Sequence, residues 1–153
     1  MASHLHHLAL MVDDLERALF LFRDLLGLTL VWRLPQVGGP RLGELLGVPG
    51  FQAEMAYLED AKRQVDLELA RPLAPASASP AAEFGAAGSF SLSLMVEHLD
   101  DLHDRLIAAG WMPLSTPLSL RSPSGESLRA FCLRPLPGLC LELMEPASQG
   151  DRR

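Results

Sequence analysis

Apolar and polar residues alternate along several short runs of the chain, and recur at helical spacing in two longer ones. Residues 5–12, LHHLALMV, place Leu8, Leu10 and Val12 on one side of an extended segment and His7, Ala9 and Met11 on the other. The next run, DLERALFLFRDLL, carries Leu15, Ala18, Leu19, Phe22, Leu25 and Leu26 at helical intervals. Asp13 and Asp14 are both good N-cap residues, Asp13 stands at capping-box spacing from Glu16, and Gly27 suits a C-cap. LTLVWRL (28–34), FQAEMAYLE (51–59) and QVDLELA (64–70) read as strands, with a Gly/Pro-containing loop at 35–50.

Residues 71–88 change composition sharply to Pro, Ala, Ser and Gly, which marks a linker. The order of elements then repeats. SFSLSLMV (89–96) alternates as a strand. LDDLHDRLIAAG (99–110) is a helix with Leu99, Leu102, Leu106 and Ile107 on one side and Gly110 as its C-cap. WMPLSTPL, SLRAFCLR and GLCLELME supply three extended segments, broken by SPSG and PLPG. HHLALMVDDL (6–15) aligns with FSLSLMVEHL (90–99) without a gap, and VDLELA (65–70) aligns with LCLELM (139–144). Two matches in the same order at corresponding places argue for a duplicated module. The expected organisation is a β-α-β-β-β module at 1–70, a linker at 71–88, a second such module at 89–146 and a disordered tail at 147–153.

Composition narrows the function classes. The 153 residues are 48% hydrophobic and 21% charged, with a net charge of −6 and no block of like charges. Nucleic acid and anionic membrane surfaces both require a basic face, so neither is an expected partner. No apolar run approaches the roughly 20 residues of a membrane span. The first residues show no basic region followed by a long apolar core, which argues against a signal peptide. Cys132 and Cys140 flank the turn-like LRPLPGL; two buried thiols in a reducing cytoplasm are the expectation.

The chemistry lies on the polar sides of the first and last strands of each half. His7 stands opposite Leu8, Leu10 and Val12. Asp66 and Glu68 stand opposite Val65, Leu67 and Leu69, and Cys140, Glu142 and Met144 opposite Leu139, Leu141 and Leu143. Glu68 and Glu142 are each flanked by leucines. A carboxylate so placed is costly unless it is paired, hydrogen-bonded or metal-bound. A histidine with two carboxylates is a ligand set for a divalent transition metal.

HHLALMVDDLERALFLFRDLLGL resembles the opening of the vicinal oxygen chelate superfamily, and SLSLMVEHLDDLHDRLIAAGW with GLCLELMEP resembles the same module again. That group includes glyoxalase I, methylmalonyl-CoA epimerase, extradiol dioxygenases, and fosfomycin- and bleomycin-resistance proteins. The resemblance implies an α+β fold, two β-α-β-β-β modules forming an open, cavity-containing mixed-sheet barrel, and a homodimer. It implies ligand positions at His7, Glu68, Ser91 and Glu142. Ser91 departs from the pattern, which usually has histidine there, and a hydroxyl is a poor first ligand for zinc, nickel or iron. The Asp-Pro-Asp-Gly turn common before the final glutamate is here RPLPG (134–138).

Two functions follow from the resemblance. The first is a metal-dependent lyase, isomerase or epimerase acting on a small oxygen-rich molecule through a stabilised enediolate. His7, Glu68 and Glu142 would hold Zn, Ni, Co, Mn or Fe, and Glu68 or Glu142 would act as catalytic base. Ser91, Ser93 and Met95 would line the substrate pocket. The second is a metal-free binding or resistance protein for an antibiotic, or a natural-product cyclase. Among the remaining candidates, His4 and His6 read as solvated and Asp66 as hydrated at a rim. His98 would cap or precede the second helix, and His103 would lie on its exposed face. Trp32, Phe51, Tyr57, Trp111 and Met95 are pocket or core residues. Arg121 and Arg129 are solvated strand positions or contacts for an anionic substrate.

Overall fold

The computed structural model describes residues 6–62, 64, 66–75, 84–122 and 124–147. The chain divides into two compact units, Met1–Ser79 and Pro80–Arg153.

The first unit has strands β1 (Leu8–Met11), β2 (Thr29–Gly38), β3 (Gln52–Glu59) and β4 (Asp66–Ala74), with helices α1 (Leu15–Leu19) and α2 (Pro40–Leu46). The four strands form one mixed sheet in the order β1-β4-β3-β2, with β1 parallel to β4 and the other pairs antiparallel. Leu8 and Leu10 stand beside Leu67 and Leu69, and these beside Leu58 and Ala56, so one sheet face is a continuous apolar surface. Leu15, Ala18, Leu19, Leu21 and Phe22 of the helical segment are buried. The helix lies on this face, because Glu16 of α1 reaches Arg33 on that side of β2.

Asp14 is the N-cap of α1: its carboxylate accepts from the Arg17 amide at 2.9 Å. The capping box expected from Asp13 is therefore not the one used. After Leu19 the helix widens into a π-helical turn, Phe20–Leu25, closed by a bond from the Leu26 amide to the Leu21 carbonyl. Gly27 leaves it at φ +79°, a conformation that glycine adopts without strain.

The 35–50 segment is not a plain loop. β2 continues through Pro35 to Gly38, which an edge strand tolerates, and α2 follows with proline at its start and left-handed Gly47 at its end. β4 continues to Ala74, and of the expected linker residues 76–83 lie outside the described residues, as do His4 and Val65.

The second unit repeats the plan with β5 (Phe90–Met95), α3 (Leu99–Ala108), β6 (Leu118–Arg121), β7 (Ser127–Leu136) and β8 (Leu139–Pro146), in the sheet order β5-β8-β7-β6. WMPLSTPL supplies only an isolated bridge, Pro113 to Leu133; the strand proper begins at Leu118. Two prolines in that stretch deprive a longer ladder of amide donors. His98 occupies the N-cap position of α3 at φ 57° without a side-chain cap, and Glu145 of β8 accepts from the Leu99 amide at 3.1 Å instead. His103 is buried, not exposed: its ring packs edge-on against Phe131 at 5.0 Å. Of the tail, Ala147 donates to the Ser127 carbonyl, and 148–153 lie outside the described residues.

The two sheets share one register. Ala9 stands beside Glu68, and Ser93 beside Glu142, each flanked by leucine pairs. The architecture is α+β, two four-stranded mixed sheets, each open rather than closed on itself.

Candidate ligand-binding faces

Each sheet has a second face, turned away from its helix. In the first unit the register assigns to it Ala9 and Met11 of β1 and Asp66, Glu68 and Ala70 of β4. Glu59, Tyr57, Met55 and Ala53 of β3 and Trp32, Leu34 and Val37 of β2 share it. One end is covered. Phe51, Ala53, Met55 and Ala70 form a buried apolar cluster with Val37, Leu42 and Val48 packed on it, so the α2 segment roofs that end of the face.

The other end is open and aromatic. Trp32 and Tyr57 are stacked, with ring centroids 5.2 Å apart and planes inclined by 16°. His7 meets Tyr57 edge-on at 5.9 Å, so His7 does lie on this face. The Tyr57 hydroxyl donates to Asp66 at 3.0 Å, which makes Asp66 a structural partner rather than a hydrated rim residue. Burial, that hydrogen bond and the charges of Asp66, Glu68 and Glu59 together hold the Tyr57 phenol above its ordinary range. Glu68 is half-buried directly opposite Tyr57 and accepts no hydrogen bond among the described residues. His6 and His7 lie with their Nδ1 atoms 2.8 Å apart.

In the second unit the corresponding face carries Ser91, Ser93 and Met95 of β5, Cys140, Glu142 and Met144 of β8, and Cys132 of β7. Ser93 donates to Glu142 at 2.6 Å. Ser91 donates to the Cys140 carbonyl at 3.2 Å. Both cysteines are free thiols, as expected. Burial, reinforced by Cys140 and the Glu142 charge, pushes Cys132 up to about 12.

The remaining candidates divide between core, open face and helix side. Phe51 and Trp111 are buried, whereas Met95 is 56% exposed on its open face. Arg129 pairs with Asp100 of α3 and with Glu145, on the helix side of its sheet. A cleft of about 420 Å³ lies between the start of α1 and Arg33, Glu54 and Arg71, on the helix side of the first sheet, away from His7 and Glu68. Both of its arginines are paired: Arg33 binds Glu16 and Glu54, and Arg71 binds Glu54. We read that cleft as structural.

The residues present do not fit a four-donor transition-metal centre. Ser91, where the resemblance leads one to expect a histidine, has a hydroxyl, a poor transition-metal donor, and turns it to a backbone carbonyl. Among the described residues, no three His, Cys, Asp or Glu side chains gather into a group that could hold a metal ion. No helix is long and apolar enough to cross a membrane.

Sequence reasoning put His7, Glu68 and Glu142 on the polar strand faces, where the register and the His7–Tyr57 contact also place them, but missed the α2 roof. The signal was present, since Pro40 and Gly47 bracket a leucine-containing segment of helical length.

Comparison with known proteins agrees with this architecture. A glyoxalase family protein from Bacillus cereus superposes with a TM-score of 0.83 at 23% identity over 97% of both chains. Lactoylglutathione lyase from Agrobacterium tumefaciens superposes at 0.52, with 22% identity over 95% of both chains. The fosfomycin resistance protein FosX from Listeria monocytogenes superposes at 0.58, with 13% identity over 100% of both. At these identities the likeness shows a shared fold. No curated protein matches the chain significantly. The family model for the Glyoxalase/Bleomycin resistance protein/Dioxygenase superfamily matches residues 4–119, and the chain belongs to that superfamily.

Proposed function

We propose that this chain is a small-molecule-binding member of its superfamily, and that the open end of the first sheet is the platform that receives the ligand. One observation carries the reading. His7, Tyr57 and Trp32 form an unbroken row of rings on a sheet face, at the end that α2 leaves uncovered. Aromatic rings left half-exposed in this way offer stacking surface at little entropic cost. Glu68 beside the row supplies a polar contact for an oxygen-rich molecule.

A thermal-shift screen of planar organic compounds, run in parallel on the wild type and on Trp32→Leu, tests this. Compounds that stabilise the wild type and fail on the variant support it. Equal stabilisation of both proteins contradicts it.

A second reading is a metal-dependent lyase, isomerase or epimerase, with Glu68 in the first unit and Glu142 in the second each a candidate donor on its own sheet. It is supported by the common register of Glu68 and Glu142 on the open faces of the two sheets.

A further inference from the structure

Resting on the reading of this face as a ligand platform, we infer that the ligand is an organic cation: an unsaturated planar body bearing an ammonium, amidinium or guanidinium group. The distribution of charge over the two sides of the first sheet carries the inference. Glu59, Asp66 and Glu68 all share the open face with Tyr57, and all three charges act on its phenol. The only arginines of the four strands, Arg33 and Arg71, lie on the other side, where Glu16 and Glu54 hold them. Among the described strand residues, the open face therefore has three carboxylates and no lysine or arginine.

The carboxylates flank stacked rings, and the two features select the same charge. A cation over the outer π face of the Trp32–Tyr57 stack is attracted by the ring quadrupoles. Trp32 is 36% exposed, so that face is reachable. Asp66 already accepts from Tyr57, whereas Glu68 is half-buried and takes no hydrogen bond among the described residues. Glu68 is thus the anion that gains most from a donor group on the ligand. An anionic ligand would meet the like charges of Asp66 and Glu68 here. The α2 roof, with the half-buried Val37 and Leu42, offers apolar surface to the uncharged end of the molecule.

The test uses three bicyclic probes of one shape. 4-Aminoquinoline is protonated at pH 8 to an amidinium-type cation with N–H donors, quinoline is neutral there, and quinoline-2-carboxylate is an anion. Each is titrated into the full-length protein and followed by indole quenching, with Trp32→Leu reporting the contribution of Trp111. The cation is expected to bind roughly tenfold tighter than the neutral probe, and the anion more weakly still. Glu68→Gln should weaken the cation several-fold and leave quinoline unchanged. Binding of quinoline or the carboxylate as tightly as the cation, still dependent on Trp32, overturns the charge assignment and leaves the platform standing. If none of the three gives Trp32-dependent saturation in the millimolar range, the platform itself falls, and the inference with it.

Discussion

The Ser93 hydroxyl donates to Glu142 across 2.6 Å, at the register position where the first unit has Ala9 beside Glu68. One carboxylate of the repeated pair is therefore anchored by its neighbour, and the other takes no hydrogen bond among the described residues. Ser93→Ala should cost about 0.5–1 kcal/mol in urea unfolding, a charge-assisted bond discounted for its exposure. Ala9→Ser offers Glu68 the same anchor and should be neutral or mildly stabilising. An unchanged midpoint for Ser93→Ala would show that the bond contributes nothing.

Glu54 gives the fold a definite pH dependence. Arg33 at 2.5 Å and Arg71 at 2.9 Å hold its carboxyl below the ordinary range. A folded value lower than the unfolded one, roughly 4.3, means stability that is present above that value and lost as pH falls through the folded one. Melting curves of the wild type should therefore drop on the acid side, and those of Glu54→Gln should drop less. Parallel acid limbs would contradict this.

Cys132 should be nearly inert in the native protein. With its thiol pushed to about 12 by burial and by Cys140 and Glu142, little thiolate exists at pH 8. Alkylation should be slower than in the unfolded chain by more than roughly 100-fold. The same shift implies stability that is full below the unfolded thiol value and lost as pH rises toward the folded one. Equal alkylation rates in buffer and in denaturant would refute the burial argument.

Gly43 tests the α2 roof. In an ordinary helix Gly→Ala stabilises by about 1 kcal/mol. Here a β-carbon would lie 2.9 Å from the Val48 carbonyl oxygen and 3.2 Å from the Gly50 amide nitrogen, both backbone. Gly43→Ala should instead destabilise by about 1–3 kcal/mol. Circular-dichroism melting decides the sign, and a raised melting temperature would mean that the segment packs differently.

The halves and their core strands were legible because burial there is strictly periodic: Leu8, Leu10, Leu67 and Leu69 announce their face by alternation alone. The repeat made Glu68 and Glu142 legible as a pair. What stayed hidden depends on contacts distant in sequence. His98 occupies the place where Asp14 caps α1, but its role is taken by Glu145, across the sheet. Arg129 and Glu145 lie in adjacent strands at the register position of Glu54 and Arg71, with the charges exchanged, and no local pattern predicts which pairs form. His103 reads as polar on a helix wheel, yet Phe131 supplies an apolar partner that buries it.

A ligand platform on the aromatic face of the first sheet needs no metal bound by the chain. Equilibrium dialysis of tag-free protein against zinc and nickel, followed by elemental analysis, tests it most directly. A ligand held by the rings alone leaves far less than one ion on each wild-type chain. One tightly held ion per wild-type chain, lost in Glu142→Ala, would contradict it.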